Sequence, residues 1–291
     1  MADNKDRVWL ILGAASGFGR AMAEHVLDSG EKAVVADRVV GGLEQLVSTY
    51  PADRIQAVAM DITNADQVAA AFATAKLHFG RLDVMFNSAG VGLVGEVEAV
   101  PDAKARWMMD INFWGAERVT RHAVRFFREE NGDRPGGTIA HITSLGGIKS
   151  LPADGHYCAA KFALEGLCEA VAMELDPAWN IKVALIEPGW FLTGLSTNDS
   201  GVKPHPAYTN PSLPSVQLRT STSRTADEMK ETYADPRKGV RAMYDVINLG
   251  RPFVRLPLGP GVVEGVQWKI DQLTKTLEEF KSCSDNLQFD P

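Results

Sequence analysis

Apolar residues in this chain fall into two alternating rhythms. Short unbroken runs, VWLIL at 8–12, AVVAD at 33–37, IQAVAMD at 55–61, LDVMFN at 82–87, GTIAHITS at 137–144 and IKVALIEPG at 181–189, have the length and residue types of strands. Between them lie segments with helical spacing of apolar positions, the first over 18–29. A strand that is apolar throughout is covered on both faces, so the alternation predicts an α/β fold, a doubly wound parallel sheet with helices on both faces. NGDRPGG at 131–137 is a turn between a long helix and a strand. Further on, 236–250 predicts a helix stopped by Gly250, FVRLPLG at 253–259 an edge strand that tolerates Pro257, and 262–282 a closing helix. No internal repeat and no long linker divides the sequence, so a single domain is expected over 1–291.

One stretch breaks the rhythm. From Gly194 to Asp235 the sequence turns polar and rich in Ser, Thr and Pro. It follows the strand ending at Gly189, so it lies at the carboxyl edge, where open α/β sheets bind ligands. Long irregular segments are uncommon in compact domains unless they serve a site. Residues 194–235 are therefore expected to form a substrate lid with one short helix in it.

Composition narrows the partners. With 45% hydrophobic and 23% charged residues the chain has ample material for a core. A net charge of −7 argues against binding nucleic acid, and the sequence holds no apolar run of about 18 residues for a membrane span. MADNKDR is charged and leads directly into an apolar strand, unlike a secretory signal. Cys158, Cys168 and Cys283 show no metal-ligand spacing, so no metal is expected and a reducing, cytoplasmic setting fits best.

Two local patterns carry chemistry. The first strand runs straight into GAASGFG, which places Gly13, Ser16, Gly17, Phe18 and Gly19 between a strand and a helix. Glycines there allow a tight turn and let backbone N–H groups approach a pyrophosphate at the helix N-terminus. The next strand ends at Asp37, where a carboxylate accepts hydrogen bonds from the adenosine ribose and repels a 2′-phosphate. That favours NAD, whereas Arg38 beside it leaves NADP open. In the second pattern, HYCAAKFALEGL, Tyr157 and Lys161 are four residues apart and share a helix face. A cation held near a phenol favours the phenolate and suits the tyrosine to acid/base work.

GAASGFG, NSAG at 87–90, Ser144 and the Tyr157–Lys161 pair, taken in order, resemble the short-chain dehydrogenase/reductase family in its shorter form, over about residues 7 to 193. The resemblance implies a Rossmann-type fold of seven parallel strands, a nicotinamide cofactor, and a homodimer or homotetramer. It implies that Tyr157 is the catalytic acid/base and that Lys161 binds the nicotinamide ribose and lowers the tyrosine pKa. Ser144 then holds the substrate oxygen, and Asn112 helps hold a relay water. For the cofactor it implies Asp61 and Ile62 near the adenine, the NSAG residues Asn87, Ala89 and Gly90 along the cleft, and Pro188, Gly189, Phe191 and Thr193 around the carboxamide. Asp61 also reads as a cap for a helix starting near Asn64. Leu12 and Ser88 depart from the family, which often has Thr and Asn there. The apolar stretch Trp107, Met108, Met109, Phe113 and Trp114 reads as core and subunit packing, His141 as a packed strand residue and His156 as a surface or rim residue.

The expected reaction interconverts a secondary alcohol and a ketone. Leu145, Leu151, Trp190, Leu195 and Tyr208, together with Ser144, are expected to line a pocket for a substrate of medium size and little charge. A nucleotide-sugar epimerase or dehydratase also uses Tyr-x-x-x-Lys, although with glycines spaced G-x-x-G-x-x-G. A non-catalytic dinucleotide sensor is the other alternative, and such proteins tend to lose the serine, tyrosine or lysine kept here.

Overall fold

The computed structural model describes residues 6–197, 201–222 and 225–289. The predicted N-terminal residues 1–5 and two pieces of the lid, 198–200 and 223–224, lie outside the described residues. In chain order the elements are β1 (Val8–Leu12), α1 (Gly17–Asp28), β2 (Lys32–Asp37), α2 (Glu44–Thr49), β3 (Ile55–Ala59), α3 (Ala65–Phe79) and β4 (Val84–Asn87). They continue as α4 (Asp102–Met109), α5 (Ala116–Glu129), β5 (Gly137–Ile142), α6 (Gly155–Glu174), β6 (Ile181–Pro188), α7 (Gly194–Thr197), α8 (Pro214–Thr222), α9 (Ala226–Met229), α10 (Pro236–Asn248), β7 (Phe253–Leu258) and α11 (Val262–Phe280).

The strands form one seven-stranded sheet in the order β3-β2-β1-β4-β5-β6-β7, and every pair is parallel. This is the doubly wound arrangement the apolar runs predict, with the order reversing between β1 and β4. Alternate residues of β1 serve opposite layers. Trp9 and Ile11 pack with Met22, Val26 and Met243 of α1 and α10. Val8, Leu10 and Leu12 pack with Val68, Phe72 and Phe126 of α3 and α5. Pro257 lies on the edge strand β7, where the missing N–H leaves no ladder partner unsatisfied.

Three predicted features change in the structure. Strands β3 and β5 stop before Asp61 and Ser144, because the last residues of each run leave the ladder to face a cleft. Asn64, not Asp61, caps α3, its side chain accepting from the backbone of Asp66 and Gln67. Among its described residues the lid holds three short helices, α7 to α9, rather than one. Its base is closed where Phe191 bridges Ala234, with Leu192 N–H donating to the Ala234 carbonyl at 3.0 Å. Its outer part is tied to the chain near α4: Arg219 pairs with Glu96, the Tyr208 hydroxyl donates to Glu98 at 2.8 Å, and Lys104 donates to the Gly201 carbonyl. Of the predicted packing residues, Met108 is buried, whereas Trp107 and Trp114 are exposed at the surface.

His141 is a fully buried strand residue, as its sequence context predicts. Thr120 donates its hydroxyl to the Ala116 carbonyl, so the His141 Nε2 contact at 2.8 Å makes the ring the donor there. Nδ1 then accepts from Asn87 Nδ2 at 3.1 Å. Both nitrogens are satisfied only in the neutral ring. Burial, reinforced by the Lys161 charge, pushes the His141 pKa down to about 3. Between that value and the unfolded value of about 6.5, only the unfolded chain takes up this proton, so stability falls as pH drops through the window. Relative to His141→Gln, the wild type should lose about 1.4 kcal/mol more stability per pH unit between pH 6 and 4. Urea unfolding across that range measures the slope, and parallel slopes would refute the buried neutral imidazole.

Candidate active site

A cleft of about 730 Å³ opens at the carboxyl edge of the sheet, and nearly every predicted site residue reaches it. At one end Gly13, Ser16, Gly17 and Phe18 form the turn into α1, with Asp37, Arg38, Asp61 and Ile62 beside it. Ala89 and Gly90 line the middle, and Pro188, Gly189, Phe191 and Thr193 line the wall after β6. Ser144, Leu145, Leu151, Tyr157, Lys161, Trp190 and Leu195 line the remainder. Gly19, Asn87, Asn112 and Tyr208 do not line it.

The turn needs its glycines. Gly13 has φ +76°, and a Cβ there would stand 2.8 Å from the Ala89 nitrogen. A Cβ on Gly19 would stand 2.1 Å from the Gly13 carbonyl oxygen, so Gly19 underlies the turn by close packing instead of facing the cleft. Ser16 occupies the N-cap of α1 without a side-chain capping bond, and the first turn carries no acid. The helix therefore presents its N–H groups and positive dipole end without an internal anion, which fits a pyrophosphate. Asp37 accepts from the Ala15 and Val39 N–H groups at 3.0 and 3.1 Å. Asp61 accepts from the Thr63 N–H and hydroxyl. Burial opposes ionisation of Asp61, yet those two bonds and the nearby Arg38 charge bring its pKa below the usual value.

At the other end α6 crosses the end of β5. Lys161 is buried, with Nζ donating to the Ile142 carbonyl at 2.9 Å and lying 5.7 Å from the centre of the Tyr157 ring. Burial lowers the ammonium pKa to about 8, against the opposing pull of Glu165 one turn along. Burial raises the Tyr157 pKa, the hydrogen bond with Ser144 opposing and the Asp154 charge adding. Ser144 Oγ also accepts from the Gly146 N–H. Gly90 passes close to this group, since a Cβ there would stand 3.3 Å from Asn112 Oδ1 and 3.8 Å from Lys161 Nζ.

Asn112 acts on the cleft wall. Its amide clamps Val91, Oδ1 accepting from Val91 N–H at 2.9 Å and Nδ2 donating to the Val91 carbonyl at 2.8 Å. It lies in a widened π-type turn at Asp110–Gly115, a distortion common at functional sites. Asn87 shapes the neighbouring turn by accepting from the Ala89 N–H. Tyr208, expected in the pocket, instead lies half-buried on the outer lid against Glu98, off the cleft lining. His156 is also off the cleft, near the Val97 carbonyl. The sequence reading missed Asp154, Val91, Val94, Val202, Thr222 and Tyr233, which line the substrate end, and Arg219, which lines the cleft too. Asp154 carries a legible signal, because it precedes Tyr157 by three residues on one helix and so shares its face.

This arrangement sets a hydroxyl pair, Ser144 and Tyr157, beside a buried cation, at one end of a cleft whose other end suits a dinucleotide. It can hold a carbonyl or alcohol oxygen and move a proton to or from it. Among the described residues no group of His, Cys, Asp and Glu has the geometry of a metal site.

Residues 7–201 match the family model described as short chain dehydrogenase. An oxidoreductase of Penicillium decumbens, calM, is 33% identical over 96% of this chain and 92% of its own length. A Schizosaccharomyces pombe protein described as an uncharacterized oxidoreductase is 32% identical over 97% of this chain and 93% of its own. The crystal structure of a short-chain dehydrogenase from Streptomyces avermitilis superposes with a TM-score of 0.82 at 29% identity, covering 97% of this chain and 98% of that one. With its fold and its sequence thus matched, the chain belongs to the short-chain dehydrogenase/reductase family of oxidoreductases.

Proposed function

We propose that this protein is an NAD-dependent oxidoreductase that interconverts a secondary alcohol and a ketone, with Tyr157 as general acid and base. The observation that carries the reading is the gathering of Ser144, Tyr157 and Lys161 at one end of the cleft that begins at the uncapped helix N-terminus. A nicotinamide nucleotide, when bound, supplies the hydride donor or acceptor. The N-terminal turn of α1 would hold its pyrophosphate, Asp37 its adenosine ribose, and Asp61 with Ile62 its adenine. Ala89 and Gly90 would follow its middle, and Pro188, Gly189, Phe191 and Thr193 would meet its carboxamide.

The chain's own residues handle the substrate oxygen. Ser144 positions it by hydrogen bonding. Tyr157 gives its proton to that oxygen in reduction and takes it back in oxidation. Lys161, fixed by the Ile142 carbonyl, keeps a positive charge beside the phenol and stabilises it when ionised. Val91, Val94, Leu145, Leu151 and Trp190 exclude water around the reacting carbon, which fits a substrate of medium size with an apolar body.

Two features favour NAD over NADP. The Asp37 carboxylate is fixed by two backbone N–H groups at the cleft, where its charge opposes a 2′-phosphate. Arg38, the cation that would welcome that phosphate, already acts on Asp61. The exposed Trp107 and Trp114 support a homodimer or homotetramer, since such aromatics are common at protein interfaces. Among the described residues no helix is long and apolar enough to cross a membrane.

Tyr157→Phe should lower turnover of secondary alcohols by about 10³-fold, the middle of the range for lost acid–base catalysis, while NADH still binds as judged by its fluorescence. Activity within tenfold of wild type would reject Tyr157 as the proton carrier.

Asp37→Asn keeps an oxygen acceptor for the turn and removes the charge. The ratio of kcat/KM for NAD over NADP should fall about tenfold, as expected for losing roughly 1.4 kcal/mol of repulsion. An unchanged ratio in paired assays would remove Asp37 as the determinant.

A further inference from the structure

Among the described residues, the substrate end of the cleft carries one carboxylate, and the proposed mechanism does not use it. Asp154 stands at the N-cap of α6, three residues before Tyr157, and lines the cleft with it. Its carboxylate makes no capping bond to the helix. Among the described residues it accepts no hydrogen bond and joins no ion pair, and burial alone raises its pKa to about 7. Asp154 is half-buried, and a carboxylate that lines a cleft and meets no protein donor among the described residues is open to a ligand.

We propose that Asp154 sets the substrate class by accepting a hydrogen bond from a hydroxyl or ammonium group that the substrate carries next to its reacting carbon. The inference rests on the oxidoreductase reading and deepens it. Among the described residues none supplies that donor. Arg219, the cation that reaches the cleft from α8, is paired with Glu96 and donates to the Tyr208 carbonyl. Lys161, one helical turn past Tyr157, is bound to the Ile142 carbonyl. Burial raises the pKa of the other titratable neighbours on the helix, Tyr157 and Cys158, and the Asp154 charge adds to both shifts, so that charge acts at the reacting end of the cleft. Around it Val91, Val94, Leu145, Leu151 and Val202 are apolar. One acceptor in an apolar pocket fixes the orientation of a substrate that carries one donor. A substrate carboxylate at that position would meet like charge. A plain alcohol would leave the acceptor unpaired, and sites built to bond a polar group reject analogues that lack it.

The test compares cyclohexanol, trans-1,2-cyclohexanediol and trans-2-aminocyclohexanol in wild type, Asp154→Asn and Asp154→Leu. The wild type should prefer both donor substrates over cyclohexanol in kcat/KM. In Asp154→Leu that preference should fall about ten- to a hundredfold, the worth of a hydrogen bond to a charged group. Asp154→Asn should regain part of the preference for the diol, because an amide oxygen still accepts, but not for the amine. Removing the Asp154 charge should also move the rising limb of the oxidation rate to lower pH, since that charge opposes ionisation of Tyr157. The dissociation constants of the diol and cyclohexanol, followed through the fluorescence of the cleft residue Trp190, give the same comparison without turnover. A wild type without the preference, or a leucine variant that retains it, overturns the assignment. Unimpaired alcohol oxidation by Tyr157→Phe would instead overturn the oxidoreductase reading.

Discussion

Burying the Lys161 ammonium is the constraint around which the substrate end of the cleft is built. A cation taken from water is costly unless neighbours replace its hydration. Here the Ile142 carbonyl, at the end of β5, accepts from Nζ, and Glu165 lies one turn further along α6. For the carbonyl to reach the amine, α6 must lie directly on the turn that leaves β5. That turn is glycine for this reason: a Cβ on Gly147 would stand 2.9 Å from Glu165 Cγ and 3.2 Å from the Lys161 carbonyl oxygen. A Cβ on Gly146 would stand 3.2 Å from the Tyr157 ring. The same approach sets Ser144, the residue before the turn, against Tyr157. One desolvated charge thus fixes strand end, turn and helix together.

The polar thread under the sheet supports the same corner. Asn87 accepts from Ala89 and donates to His141, which donates to Thr120 on α5. This thread runs from the middle of the cleft to the helix layer, and the Lys161 charge contributes to keeping His141 neutral. Since the neutral ring alone satisfies both ends, the orientation of the Asn87 amide is set, and with it the backbone turn at Ser88 to Gly90. On the far side of that turn Asn112 clamps Val91. The wall of the cleft between the two ends is held by side chains that do not open onto it.

What could be read from the sequence follows from how local each determinant is. Strand and helix order was legible because the strands are buried on both faces and show unbroken apolar runs. Their ends were overrun by about two residues at β3 and β5, because the chain leaves the ladder there to bring the polar Asp61 and Ser144 to the cleft. The glycine turn and the Tyr157–Lys161 pair were legible because each acts within one turn of chain. The lid was legible as a segment and not as a structure. Helix α8 has no buried residue to give it a periodic signal, and its anchor Arg219 pairs with Glu96, 123 residues away. Tyr208 was misplaced for the same reason, since the side on which a lid residue faces depends on anchors that lie far off in sequence.

The electrostatics of the two ends differ in kind. At the nucleotide end the carboxylates are satisfied: Asp37 and Asp61 accept backbone and hydroxyl donors, and Arg38 adds a cation. At the substrate end desolvation dominates, raising Tyr157 and Asp154 and lowering Lys161. All three shifts favour the uncharged form. The protein by itself therefore keeps the phenol protonated at neutral pH, in the state that donates a proton to a ketone. Taking a proton from an alcohol requires added positive charge near Tyr157 or the loss of negative charge beside it. Asp154 acts on that balance directly, because neutralising it, by a proton or by a donor on the substrate, relieves the anion that opposes the phenolate. A substrate that pairs with Asp154 would thus be oriented and would ease the ionisation of Tyr157 at once, which joins the choice of substrate to the chemistry through a single carboxylate.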